Sequence, residues 1–312
     1  MRLRSLAVVP LVAAAVLGTT AAAWPSSTAA MPQAPPALTA SALSARYAAD
    51  KTAIITAEGT AARHGDRQLA GALAGLRTRQ VLFFNPNGAG VAAMVIGNLA
   101  TANRVAILVP GSDTTLATFF SRGPESPGGA AENLAAEARR LEPGQAGERL
   151  AIIAWLGYPT PAMLSPAVMT SGDAGRGAQA LRPLVTALAR HGAQVALLCH
   201  SYGSVVCGLA APNLPVTDIA VFGSPGMDAS SVASLHTHAR VWAGREAGDS
   251  IKDVPHIHLF GLGFGADPMS SGFGARIFAT GDGGHSGYLD PGSASLQNLT
   301  YIALGNPAAV TR

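Results

Sequence analysis

Ala196-Leu197-Leu198-Cys199-His200-Ser201-Tyr202-Gly203-Ser204 is the stretch whose reading decides the fold. The unbroken apolar run Val195 to Leu198 reads as a buried strand, and residues 202–211 suit a helix. A sharp strand-to-helix turn lifts a Ser hydroxyl above the edge of a sheet, an arrangement usually written G-x-S-x-G. Here the pattern is C-x-S-x-G, with Cys199 at the first small position. Ser is also a favoured helix N-cap, so these five residues fit an ordinary helix start equally well. The neighbours decide between the two.

Upstream, Gln80 to Phe84 ends at Asn85-Pro86-Asn87-Gly88, a strong turn signal, and Val91 to Ile96 follows. That spacing predicts a hairpin. Val105 to Val109 is short and wholly apolar, as a strand buried on both faces should be. Regular alternation comes next: a helix over 128–142, a strand Leu150 to Leu156, and a helix Ala174 to His191 containing Pro183. After the 202–211 helix come strands Asp218 to Phe222, Ala239 to Ala243 and Arg276 to Ala279, then an amphipathic helix over 293–304. A hairpin followed by alternating strands and helices predicts an α/β fold, mainly parallel, with helices on both sheet faces. In such sheets the site lies beyond the carboxyl ends of the strands.

The N-terminal part reads differently. Arg2 and Arg4 precede an apolar core from Leu6 to Leu17, too short to span a bilayer, and Ala21-Ala22-Ala23 supplies small residues for cleavage before Trp24. Residues 1–23 are therefore expected to be an export signal, and the protein to be secreted or held in the cell envelope. Residues 24–38, rich in Pro, Ala and Ser, are expected to be a mobile linker. Residues 39–78 read as two helices, about 41–57 and 61–77, broken at Gly59 and Gly65 and capping the main domain at 79–312. His64 reads as a surface residue.

The chain carries 21 basic and 18 acidic residues; without Arg2 and Arg4 the balance is 19 against 18. No Lys/Arg run survives, which argues against nucleic acid as a partner. Cys199 and Cys207 are the only cysteines. In an exported chain they can form a disulfide, but both flank one turn, and two buried free thiols fit equally.

A Ser hydroxyl needs a base to take its proton, and the base needs an acid to hold its tautomer. With this elbow the expected chain order is Ser, then Asp or Glu, then His. Among the eight His, His285 follows the last expected strand in a Gly-rich loop, Gly281-Asp282-Gly283-Gly284-His285-Ser286-Gly287, and is the candidate base. His200 adjoins Ser201, and its side chain is expected to point away from the reacting face. Asp249, a short loop after the 239–243 strand, is the candidate acid, with Glu246, Asp253 and Asp267 as alternatives. The oxyanion donors are expected to be the backbone N–H groups of Tyr202 and of Ser112 in the Pro110-Gly111-Ser112-Asp113 loop, with Asp113 as alternative to Ser112. His236/His238 and His256/His258 could each share a strand face as metal pairs, but no close carboxylate or Cys completes a site. The glycines of 261–274 do not open a helix after a strand, so no dinucleotide loop is expected. No cofactor or metal is called for.

With these residues in place, the chain resembles the α/β-hydrolase superfamily. Within it, the chain is similar to a bacterial, largely uncharacterised family of hydrolase-like proteins. The matching pieces are Val109-Pro110-Gly111, Trp155-Leu156-Gly157-Tyr158, His200-Ser201-Tyr202-Gly203-Ser204, Gly223-Ser224-Pro225-Gly226 and the His285-Ser286 loop, covering about residues 80–290. The resemblance implies a nucleophile at Ser201, an acid at or near Asp249 and a base at His285; Cys199 departs from the usual Gly. The reaction expected is acyl transfer to Ser201 and then to water, with a small or lipid-like acyl ester as substrate. Lids in this superfamily often follow the strand after the elbow, and the short gap from Gly223 to Arg240 leaves no room for a large one. An esterase or cutinase-like enzyme is therefore expected. The same residues would serve a peptidase or acyltransferase, or a scaffold that binds without reacting. Leu262, Phe264, Met269 and Phe273 read equally as an acyl pocket or as core.

Overall fold

The computed structural model describes residues 37–121, 126–144, 149–254 and 263–312. The expected export signal and residues 24–36 of the expected linker lie outside them. Eight strands form one sheet: β1 (Gln80–Asn85), β2 (Val91–Ile96), β3 (Arg104–Val109), β4 (Leu150–Leu156), β5 (Gln194–His200), β6 (Asp218–Phe222), β7 (Arg240–Gly244) and β8 (Arg276–Ile277). Their spatial order is β1-β2-β4-β3-β5-β6-β7-β8. β1 pairs antiparallel with β2, as the 85–88 turn predicts, and β2 antiparallel with β4. All later neighbours are parallel.

Period-2 alternation sorts the strand side chains onto two buried faces. Val105, Ile107 and Val109 of β3 pack with Val195, Leu197 and Cys199 of β5 beneath helices α4 (Gly172–Arg190) and α5 (Gly203–Ala210). Ala106, Leu108 and Leu198 face the other way, against α3 (Pro127–Leu141) and α6 (Ala294–Leu304). Because both faces are covered, the central strands read as continuous apolar runs rather than as alternation. This is the expected α/β architecture. Phe264 and Phe273, 4% and 1% exposed, belong to the first core and not to an open acyl pocket; Leu262 lies outside the described residues.

The N-terminal helices and β8 depart from the sequence reading. α1 (Ala40–Arg63) runs through Gly59, and the break falls just before α2 (Arg67–Arg77). Gly65 adopts φ +77° there, and the Asp66 side chain accepts from Leu69 N–H at 3.0 Å. The N-cap carboxylate, and not the helical glycine, sets the boundary. β8 spans two residues because its pairing with β7 ends at Ala243–Ile277.

At the amino ends of β6 and β7, Asp218 is 1% exposed and accepts from Arg240 (2.8 and 2.7 Å) and Trp242 Nε1 (2.9 Å). This paired carboxylate sits at the opposite edge from the chemistry. The carboxyl ends of β3, β5, β6 and β7 share the other edge, which carries the loops at 110–113, 201–202, 223–226 and 245–249.

Candidate active site

Ser201 occupies the turn between β5 and α5 with φ +51°, a left-handed conformation unusual for a side chain larger than Gly. The fold over-determines this strained geometry. Ser201 N–H donates to Phe222 O of β6 at 3.0 Å, and Ser201 O accepts from Ser204 N–H at 2.9 Å. Cys199, where a Gly is usual, is disulfide-bonded to Cys207 inside α5, with Cα atoms 6.5 Å apart. Where a Gly would let strand and helix approach, here a covalent bond holds them together. On the other side, a Cβ on Gly203 would come within 2.5 Å of Val109 O, so the elbow also needs Gly at that position.

The site assembles on Ser201 from three loops. Ser201 Oγ donates to His285 Nε2 at 2.9 Å, and His285 Nδ1 lies 3.0 Å from both Oδ atoms of Asp249. That contact fixes the proton on Nδ1 and leaves Nε2 as acceptor. Asp249 is fully buried. Burial pushes its carboxyl up, but hydrogen bonds from His285, Tyr288 and Ile251 N–H outweigh it, so its pKa stands below the ordinary carboxylate value. The alternative acids are engaged elsewhere. Asp267 pairs with Arg245 at 3.0 Å and accepts from Met269 N–H. Asp253 is exposed at the end of a short 3-10 turn. Glu246 is buried with its Oε1 against Ser295 Oγ at 3.4 Å, and burial raises its pKa.

The loop after β3 passes directly against Ser201: a Cβ on Gly111 would sit 2.7 Å from Ser201 Cβ. Of the two candidate donors in that loop, Asp113 N–H is already given to Pro161 O at 3.0 Å. No hydrogen bond among the described residues takes up the N–H of Ser112 or of Tyr202. The loop is braced from below. Tyr158, fully buried, donates to Pro110 O at 2.7 Å, and Thr160 Oγ1 donates to Thr114 O at 2.7 Å.

Two further groups belong to the site. Tyr288 Oη donates to Asp249 Oδ2 at 2.6 Å and accepts from Glu246 N–H at 3.0 Å. The only sequence signal for it was a single aromatic in the polar, Gly-rich loop that carries His285. His200 corrects the expectation that it points away. Its Nε2 donates to His285 O at 2.9 Å, and the two imidazoles lie 5.0 Å apart. Burial, and then the neighbouring His285, lower its pKa to about 4, so it is neutral at pH 7.

Among the described residues no group of His, Cys, Asp or Glu has a metal site's arrangement. His236 and His238 are exposed; His256 and His258 lie outside those residues.

The chain belongs to the α/β-hydrolase family: the family described as "Alpha/beta hydrolase" matches residues 85–259. Uncharacterized protein Rv2079 of Mycobacterium tuberculosis is 32% identical over 256 residues, covering 72% of this chain and 38% of that protein. Uncharacterized protein Rv0963c of the same organism is 30% identical over 152 residues, covering 46% of this chain and 56% of that protein. The chain thus spans about two fifths to just over half of the length of these relatives. Among solved structures it is similar to esterase PE8, at 13% identity and a TM-score of 0.45, covering 69% of this chain and 98% of that one.

Proposed function

We propose that this α/β-hydrolase is an exported serine esterase that works through Ser201, His285 and Asp249. The observation that carries the reading is the unbroken series Ser201 Oγ–His285 Nε2 (2.9 Å) and His285 Nδ1–Asp249 (3.0 Å) at the carboxyl edge of the sheet. As Ser201 Oγ attacks an acyl carbonyl carbon, His285 Nε2 takes its proton. Asp249 faces the imidazolium that forms and stabilises it. The N–H groups of Tyr202 and Ser112 donate to the developing oxyanion. Collapse expels the alcohol, which takes the proton back from His285. Water, deprotonated in turn by His285, releases the acyl group and restores Ser201.

Ester cleavage, rather than peptide cleavage or transfer, is supported by the connection after β6. Between Gly223 and Ala239 the only helical element is a 3-10 turn at Ala233–Leu235, so this connection holds no lid. Export is inferred from residues 1–23, and the Cys199–Cys207 disulfide fits an oxidising compartment. Small or lipid-like acyl esters are the substrate class, with no nucleic acid and no cofactor involved.

Hydrolysis of a 4-nitrophenyl ester series from acetate to decanoate tests this directly. Turnover of at least one ester that disappears in Ser201→Ala is expected. Turnover of a peptide amide but of no ester would replace the reading with a peptidase.

A further inference from the structure

Glu246 is 2% exposed, and its Oε2 is shut off from water with no hydrogen-bond partner among the described residues. Its other oxygen has the 3.4 Å contact from Ser295 Oγ. A carboxylate so placed is costly unless a charged or polar group meets it. Burial opposes its charge, and the neighbouring Asp290 and Asp249 oppose it further. Among the described residues no Lys or Arg pairs with Glu246 or with Asp290. Lys252, in the same loop as Glu246, donates to Ala247 O at 3.1 Å instead.

The space in front of Oε2 is lined with oxygens. Around a Cβ built on Gly287, the three closest atoms outside the adjacent residues are Glu246 Oε2 at 2.9 Å, Asp290 Oδ2 at 3.5 Å and Gly284 O at 3.5 Å. A Cβ on Gly283 would also run into Oε2. Glycines at 283 and 287 therefore keep this space open. Gly284 O accepts from Gly287 N–H at 3.0 Å and retains a second lone pair. Asp290 is exposed, so the space has a side that meets water.

The donors select the ligand. Carboxylates, a carbonyl and water are hard oxygen donors, which suit a hard cation. His285 offers no nitrogen to a zinc ion, because Nδ1 is held by Asp249 and Nε2 by Ser201. Magnesium demands a near-ideal octahedron, whereas calcium accepts an irregular set of about 6–8 oxygens. A fixed buried carboxylate, a main-chain carbonyl and an adjustable exposed carboxylate fit calcium.

We propose that Glu246, Asp290 and the Gly284 carbonyl bind one calcium ion beside the loop that carries His285. Two carboxylates alone make no metal site; the carbonyl and solvent complete this one. The role is structural. Glu246 lies three residues before Asp249, and Gly284 adjoins His285. The ion thus ties the acid loop to the base loop and takes no part in acyl transfer.

The test uses the full-length protein freed of metal with a chelator and needs no substrate, so it stands or falls apart from the esterase reading. Titration calorimetry with calcium chloride should show one ion per chain, with a Kd on the order of 10⁻⁴–10⁻³ M. Calcium at about ten times that Kd should raise the melting temperature by about 3 °C or more, and magnesium by less. Glu246→Gln should abolish both effects. Asp290→Asn, an exposed change that leaves the interior intact, should weaken calcium binding about tenfold or more, while Asp253→Asn should leave it unchanged. Circular dichroism checks that each variant is folded. No binding and no shift in the wild type, an equal shift with magnesium, or calcium binding retained in both Glu246→Gln and Asp290→Asn would overturn the site. A wild type indifferent to calcium but matched in stability by Glu246→Gln would show instead that Glu246 is carried as a neutral acid.

Discussion

The Tyr288 phenol donates a hydrogen bond to Asp249 Oδ2 at 2.6 Å, inside a space where the carboxylate is wholly shielded from water. A buried carboxylate is expensive unless several donors face it. Here His285, Tyr288 and the Ile251 amide share that task. Tyr288 is therefore a positioning residue: it keeps Asp249 ionised and aimed so that Asp249 can hold His285.

Tyr288→Phe removes that donor while keeping the ring. A hydrogen bond to a charged group contributes about 1.5–3 kcal/mol, so kcat for ester hydrolysis should fall roughly tenfold to a hundredfold with KM little changed. The Asp249 pKa should rise, moving the acidic limb of the kcat profile to higher pH. An unchanged profile and a loss confined to KM would remove Tyr288 from this role.

His200 makes the fold acid-sensitive in a defined window. Its folded pKa of about 4 lies below its ordinary 6.5, so between these values the unfolded chain binds the extra proton. Its contribution to stability is complete above pH 6.5 and is lost as pH falls toward 4. Denaturant unfolding of wild type should therefore weaken between pH 7 and 4.5 by about 2 kcal/mol more than that of His200→Gln. A parallel pH dependence in the two proteins would contradict the assignment.

The Cys199–Cys207 disulfide closes a loop with a sequence separation of 8 around the elbow. Loop-closure entropy for so short a ring is worth about 2–3 kcal/mol. The double variant Cys199→Ala/Cys207→Ala should lose that much by denaturant unfolding. It should also lose turnover, since the bond helps hold Ser201 in its left-handed conformation. Wild-type stability and activity in the double variant would mean that the hydrogen bonds of Ser201 to Phe222 and Ser204 suffice.

Much of this was legible in the sequence, for identifiable reasons. The central strands announce themselves as apolar runs because both sheet faces are covered, and the 85–88 turn fixes the hairpin. Ser201, Asp249 and His285 follow from chain order and from their places after β5, β7 and β8. The α1–α2 boundary differs from the sequence reading because a helix tolerates Gly59, whereas the Asp66 side chain caps the start of α2. His200 and Tyr288 were beyond reach for a different reason. Their roles depend on which way a ring turns at a strand end or in a loop, and that is decided by packing among Phe222, His285 and Tyr288, not by local pattern. The disulfide was undecided because spacing alone cannot say whether two thiols across a turn meet.

The central claim is that Ser201 is a hydroxyl made nucleophilic by His285. Its most direct measurement is the intact mass of the protein after exposure to a fluorophosphonate, with the modified peptide sequenced. The expected result is one adduct per chain, on Ser201, absent in Ser201→Ala and formed roughly a thousandfold more slowly in His285→Ala. A wild-type protein that takes no adduct, or one labelled equally fast in Ser201→Ala, would contradict it.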